Sequence, residues 1–188
     1  MNAAQNLYLA RHGQTALNAE GRLRGLADPP LDGVGIAEAE RLADVLAGRG
    51  FAVVASSPLQ RAVRTARIIA EAAGVEQRTD PRFNDRDYGP QTGRVRSEVI
   101  AEYGSVDAAP GVEPTSRVLE RARPALDALL DENPGKDVVV VTHDAVIRPL
   151  LTAIDPALHP AVPTASWSRL QRSDGRWTVI AVDQKPSA

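Results

Sequence analysis

The sequence predicts an α/β protein: a three-layer sandwich with a mainly parallel central sheet, helices on both faces, and antiparallel edge strands at the C-terminal end. Three observations predict it. Short apolar, β-branched runs alternate with segments of helical periodicity; the strand runs stop at polar turns rich in glycine or proline; and the chain closes on two strand-like runs joined by Ser-Asp-Gly. Strands alternating with helices imply crossover units and a parallel sheet, whereas a tight turn containing Asp-Gly implies a hairpin. The 188 residues fit one domain spanning 1–188, given a norm of about 150 residues per domain.

Taken in order, Asn6 to Ala10 (NLYLA) reads as a buried strand that ends at Arg-His-Gly. A long loop leads to Gly33–Arg49, whose apolar residues recur at helical spacing before Gly48 and Gly50 punctuate the end. Phe51 to Ala55 (FAVVA) is a second strand, followed by a helix from Leu59 to Ala73 with Ser57 as N-cap and Pro58 as the first helical residue. Val75 to Thr79 is a short strand, and Pro81 to Gly93 a long loop. Helices are expected at Val95–Tyr103 and Thr115–Leu130, the latter interrupted near Pro124. Asp137 to Thr142 (DVVVVT) is the strongest strand signal and stops at His143. A helix at Ala145–Ile154 and strands near Ser166–Gln171 and Trp177–Val182 complete the chain.

Composition excludes several function classes. The 43% hydrophobic and 24% charged content is that of a folded globular protein. Cysteine is absent, which removes disulfides, thiolate catalysis and cysteine-based zinc sites. A net charge of -2 gives no basic field for nucleic acid. No apolar run reaches the roughly 18 residues of a membrane span, and the N-terminal stretch lacks signal-peptide character, so cytoplasmic residence is expected. Zinc binding by the three histidines lacks the usual close ligand spacing, and no metal or cofactor is expected. The oligomeric state is open, with a homodimer among the options.

In such sheets, ligands bind beyond the carboxyl ends of the strands. Arg11 and His12 follow the first strand, His143 follows the strongest one, and Arg61 lies one turn into the helix after the second. Histidines and arginines gathered at one edge repel each other unless an anion compensates them. A phosphoryl group does so: arginine forks pair with its oxygens, and a neutral histidine nitrogen can attack phosphorus if the other nitrogen donates its proton to a carbonyl. The turn at Gly13 permits that contact for His12.

Five ordered motifs carry a family resemblance. They are R-H-G-Q-T-x-x-N at Arg11–Asn18, G-R-L-R-G-L-A-D-P-P-L at Gly21–Leu31, S-S-P-L-x-R-x-x-x-T-A at Ser56–Ala66, P-R-F-N-D-R-D-Y-G-P-Q-T-G at Pro81–Gly93, and V-T-H ending at His143. Together they resemble the histidine phosphatase superfamily, the branch of cofactor-dependent phosphoglycerate mutases and small phosphatases, over nearly the whole chain. The resemblance implies His12 as nucleophile, Arg11, Arg61 and His143 as phosphate-binding companions, and Asn18 as a further phosphate donor. It places Asp85 where the family usually carries a glutamate acting as general acid and base, with Asp80 and Asp87 as competing acids. Arg24, Arg86 and Arg96 match positions where the mutases hold a substrate carboxylate and second phosphate. Asp144 departs from the pattern: the second histidine is usually followed by glycine, so a carboxylate here stands beside an anion pocket unless its side chain turns away.

The expected activity is metal-independent hydrolysis of a small phosphorylated metabolite. Phosphoglycerate mutase is the second reading and a non-catalytic phosphate-binding module the third. The chain leaves little material between Tyr103 and the next helix for a cover that would keep water from a phosphorylated intermediate, which favours hydrolysis. Sugar phosphates, short phospho-acids and nucleotides fit the loops equally well.

Overall fold

The computed structural model describes residues 3–187; Met1, Asn2 and Ala188, at the ends of the expected 1–188 span, lie outside the described residues. Six strands form one sheet: β1 (Gln5–Arg11), β2 (Val53–Ser56), β3 (Glu76–Thr79), β4 (Val138–Thr142), β5 (Trp167–Ser173) and β6 (Arg176–Gln184), in the spatial order β3-β2-β4-β1-β5-β6. The pairs β3–β2, β2–β4 and β4–β1 are parallel, while β1–β5 and β5–β6 are antiparallel. The expected sheet is therefore present, with its hairpin turned at Asp174 and Gly175, both at positive φ (47° and 74°) as a two-residue hairpin turn demands.

Side chains alternate across a strand, and here the alternation builds two cores. Leu7, Leu9, Val138 and Val140 face one of them, whereas Tyr8, Ala10, Val139 and Val141 face the other. Each fully buried Val or Leu contributes about 1.5–3 kcal/mol of transfer free energy, so the central strands must be apolar on both faces. Helices α5 (Thr115–Asp131) and α6 (Asp144–Ile154) cover the first face through Leu126, Leu130, Ile147 and Leu150. Helices α2 (Gly33–Leu46) and α3 (Gln60–Ala73) cover the second through Leu42, Leu46, Ala66 and Ile69.

Several local expectations are corrected. Helix α5 runs unbroken through Pro124. Pro124 and Glu120, whose carbonyl loses its partner at proline, both lie on the exposed face, where water can satisfy the orphaned oxygen. Helix α3 begins at Gln60 rather than at Pro58 and has no side-chain cap. Instead Ser57 Oγ accepts the Leu59 N–H at 3.2 Å in a local turn, and Gln60 N–H donates to Asp28 Oδ1 at 2.8 Å, so a loop residue does the work of the cap. The loop after β1 contains a short helix, α1 (Ala16–Ala19), opened by a Thr15–Asn18 capping box. The remaining helix, α4 (Arg96–Tyr103), follows the long loop, which holds two single-turn 3₁₀ segments, Pro81–Phe83 and Gly89–Gln91. Among the described residues no helix is long and apolar enough to cross a membrane.

The register fixes what meets at the sheet's carboxyl edge. Arg11 pairs with Thr142 in adjacent parallel strands, so His12 and His143, each one residue further on, emerge side by side.

Candidate active site

The two histidine rings lie with centroids 5.1 Å apart, and both residues have 0% exposure. His12 Nδ1 is 2.6 Å from the Gly13 carbonyl oxygen, a contact that requires N–H at Nδ1 and leaves Nε2 as the lone-pair nitrogen. Gly13 is required there: a Cβ would collide with the Gly35 carbonyl oxygen of α2, while the Gly13 N–H is held by Thr65 Oγ1 of α3 at 3.2 Å. The sequence motif that contains Thr65 thus anchors the turn that orients His12. Burial, followed by Arg11, Arg61 and Arg24, holds the His12 pKa well below 6.5, and burial with Arg61 and His12 does the same for His143. Both rings are neutral at pH 7.

Around them stand three buried arginines. Arg11 donates through Nη1 to the Val162 carbonyl at 2.7 Å. Val162 holds φ at 50°, a conformation worth about 1–3 kcal/mol of strain for a β-branched residue, and Asp183 fixes it by accepting the Ala161 and Val162 N–H groups at 2.7 and 3.1 Å. Arg61 is fully buried and spends its fork on the Ala27 and Gly25 carbonyls (2.7 and 2.9 Å) and on Asp85 Oδ2 (2.9 Å). Arg24, from the loop after α1, meets Asp144 Oδ1 at 2.9 Å.

Asp85 is 1% exposed. Its Oδ2 lies 3.5 Å from His143 Nδ1 as well as against Arg61, and Oδ1 accepts the Arg86 N–H at 2.8 Å. Burial pushes its pKa upward, with Arg24 and Arg61 opposing and Asp144 assisting. Of the competing acids, Asp87 lines a cavity of about 670 Å³ together with Asp85, and Asp80 does not. Asp80 is tied to Arg82 at 2.6 Å on the surface, and Asp87 is exposed and accepts the Gly89 N–H.

The remaining predicted residues divide. Asn18 lines the same cavity of about 330 Å³ as Arg11 and Arg24; its Oδ1 is taken by Thr15, and none of the hydrogen bonds among the described residues uses its Nδ2. Arg86 is held by Asp107 at 2.5 Å and by the Glu113 carbonyl at 2.6 Å. Arg96 is exposed, at the rim shared by that cavity and a neighbouring one of about 390 Å³. Asp144 does not turn away: it faces Arg24, and also Arg11 at 4.0 Å and Arg148 at 3.9 Å. Burial works against its charge, but Arg11, Arg24 and Arg148 outweigh it and bring the pKa down to about 2.

Sequence reasoning missed three residues. Tyr88 is buried and lines both cavities. Arg148 sits one helical turn after Asp144, a spacing that was readable as an i,i+4 pair. Arg121 of α5 donates to the Arg82, Asn84 and Asp85 carbonyls at 2.9, 2.7 and 3.0 Å and so clamps the loop that carries Asp85; no local pattern marks it. Among the described residues, no three His, Cys, Asp or Glu side chains are grouped so as to hold a metal ion.

A mixed α/β sheet with paired neutral histidines and buried arginines at its carboxyl edge defines an α/β protein built to hold an oxyanion. Comparison with known proteins sharpens this: residues 7–185 match the family model of the histidine phosphatase superfamily (branch 1), and the chain belongs to that family. It is 32% identical over 189 residues to phosphoglycerate mutase-like protein 4 of Arabidopsis thaliana, covering 92% of this chain and 82% of that protein. It is 30% identical over 175 residues to the uncharacterized phosphatase PhoE of Bacillus subtilis (strain 168), covering 91% and 90%. The native structure of a mycobacterial glucosyl-3-phosphoglycerate phosphatase superposes with a TM-score of 0.85 at 27% identity, covering 97% of this chain and 100% of that one. Membership with these relatives supports a phosphatase or mutase activity.

Proposed function

We propose that this protein is a phosphomonoesterase that hydrolyses a small phosphorylated metabolite through a phosphohistidine on His12. The observation that carries the reading is where unpaired polar atoms sit. Of the eight buried side-chain nitrogens or oxygens without a partner among the described residues, six belong to Arg11, His12, Arg24, Arg61 and His143. Each orphan costs about 1–3 kcal/mol if nothing answers it, and a phosphoryl group answers guanidinium and imidazole donors together.

In this reading, His12 Nε2 attacks phosphorus while Nδ1–H stays on the Gly13 carbonyl. Arg11, Arg24, Asn18 and neutral His143 hold the equatorial oxygens, and Arg61 contributes its unpaired Nε and keeps Asp85 in place. The P–O bond to the alcohol breaks as Asp85 gives its proton to the leaving oxygen. Asp85 then takes a proton from the water that attacks the phosphohistidine, releasing inorganic phosphate and restoring neutral His12. The raised pKa of Asp85 suits the first step. No metal or diffusible cofactor enters the scheme.

Mutase activity is the second reading, favoured by one observation: Arg96 is an exposed cation at the cavity rim with no ion pair among the described residues, suited to a second anionic group. One experiment separates them. Phosphate release from a panel of phosphomonoesters, measured in EDTA with wild type and His12→Ala and paired with an assay for 2-phosphoglycerate made from 3-phosphoglycerate, is expected to show EDTA-resistant hydrolysis that His12→Ala abolishes. Isomerisation without release would assign the mutase, and silence in both assays would leave a phosphate-binding module.

A further inference from the structure

We propose that Asp144 sets the substrate class: it restricts the site to phosphomonoesters whose alcohol portion carries no second negative charge. The inference rests on the phosphatase reading above and deepens it. Asp144 is the first residue of α6, immediately after His143, where a negative side chain is favoured by the helix N-terminus. It lines both the cavity shared by Arg11, Asn18 and Arg24 and the neighbouring one bounded by Arg86, Ile100 and Thr152. An ester whose phosphoryl group reaches the first cavity lies beside the Asp144 carboxylate, and an alcohol portion that enters the neighbouring cavity passes it.

The charges decide what that alcohol can be. Arg11, Arg24 and Arg61 bring three buried positive charges and Asp144, facing Arg11 and Arg24, offsets one; counted with both histidines neutral and Asp85 in the acid form that the phosphatase reading requires, the cluster carries two. A phosphate monoester dianion balances two. A phospho-acid brings a further carboxylate and finds a resident one already there. The cations that could receive it are largely engaged: Arg24 and Arg148 face Asp144, Arg148 also donates to the Pro160 and Ala161 carbonyls, and Arg86 is held by Asp107. Arg96 remains, at an exposed position where water and salt screen it. The wall beyond Asp144 offers Thr115, Thr152 and Ser105 hydroxyls beside Ile100 and Val106, which suits an uncharged, hydroxyl-bearing alcohol.

Glycerol 3-phosphate and 3-phosphoglycerate make the test, because they differ only in a hydroxymethyl group against a carboxylate. Wild type is expected to show the higher kcat/KM for glycerol 3-phosphate, with the preference shrinking as salt rises. D144N is expected to move the ratio toward 3-phosphoglycerate by about tenfold or more, as loss of a close like charge in a partly buried site implies; Asp144→Ser provides a second variant if D144N folds poorly. A wild-type preference for 3-phosphoglycerate, or a ratio within about twofold of wild type in both variants, overturns the proposal. A residue that merely braced Arg24 would lower both esters together and leave the ratio in place. If neither ester yields phosphate, the phosphatase reading fails separately, and calorimetric binding of the same two esters to wild type and D144N judges the charge filter by the same ratio.

Discussion

The inner and outer halves of this site are built by different means. His12, His143, Arg61 and Asp85 are at most 1% exposed and stand at strand ends, on the first turn of α3, or on a loop clamped by Arg121, in positions that the β1–β4 register and the packing of two cores leave no freedom to change. Arg24, Asp144 and Arg148 come from a loop and the first turns of α6 and are held mainly by one another's charges, Arg86 is tied to Asp107, and Arg96 stands exposed at the rim. If the proposed function holds, the difference teaches that reaction type and substrate choice are encoded separately. Inner substitutions should erase turnover whatever the ester, whereas outer ones should reorder esters and leave the chemistry running.

The strongest test of that division is His12→Ala, expected to reduce phosphate release from every ester by on the order of 10⁴-fold or more while vanadate or phosphate still binds, since the arginines remain. Loss that varied widely with the ester would break the division at its centre. Asp85→Asn comes next. Its cost should be on the order of 10²–10⁴-fold for alkyl phosphates, whose leaving oxygen needs a proton, and far smaller for p-nitrophenyl phosphate, whose leaving group does not. The pH profile carries the same information. Because burial raises the Asp85 pKa above 3.8, the acid form persists to higher pH, and kcat/KM for alkyl esters should fall as pH rises through that value; the limb should vanish in Asp85→Asn. Because the His12 pKa lies well below 6.5, the nucleophile stays neutral as pH drops through 6.5, so no acid-side loss is expected there. A limb near 6.5 that disappears in a variant with its own intact nucleophile would reassign it to another group.

The inner residues were legible in the sequence as strand ends, whereas the outer residues Arg24, Arg86, Arg96 and Asp144 were named there without their charge pairing, for physical reasons. Apolar runs ending at Arg-His-Gly and Thr-His place both histidines at the sheet edge, because a parallel sheet that is apolar on both faces has few registers, and Arg61 follows from the strand-to-helix turn. The tautomer of His12 needed only a carbonyl within reach, and the residue after it supplied one, whereas its neutral state comes from burial and the surrounding arginines. What could not be read was charge pairing across the chain. Asp144 and Arg24 are 120 residues apart, and nothing local says that this carboxylate faces inward. Arg86 matched a substrate-binding position, yet its Asp107 partner lies on another loop. Pro124 misled in the opposite sense: a proline is tolerated in a helix where its orphaned carbonyl can tilt toward water, and the sequence does not say which face is wet.

Arg121 lies at the boundary between the halves and sharpens it. It lines a cavity together with Asp85, donates to three carbonyls of the Asp85 loop and is itself paired with Glu113 at 3.2 Å. Arg121→Met keeps the aliphatic stem and removes all these bonds, so Asp85 should lose its fixed position, with kcat for alkyl phosphates falling by about 10- to 100-fold, the cost of a misplacement near 1 Å. KM should change little and p-nitrophenyl phosphate should be nearly spared, the signature of a positioning residue acting through the acid. A uniform loss across both substrate types, tracking a lower Tm, would make Arg121 a purely structural brace.

The smallest effect expected is that of Arg96→Ala, and it is informative because it is small. Arg96 lies at the exposed start of α4, and an exposed charge acting on a ligand through water is worth about 0–1 kcal/mol. For an ester with an uncharged alcohol, the change in KM should stay within about twofold and kcat should not move. For 3-phosphoglycerate KM should rise by about two- to fivefold, because an exposed cation at the rim is lost while Asp144 stays. The two outer residues oppose one another in sign, since removing Asp144 admits the second anion and removing Arg96 turns it away. In the double variant the effects should partly cancel for 3-phosphoglycerate and leave glycerol 3-phosphate where it was. A tenfold or larger drop in kcat from Arg96→Ala with every ester would instead place Arg96 in the inner half and dissolve the separation between reaction type and substrate choice.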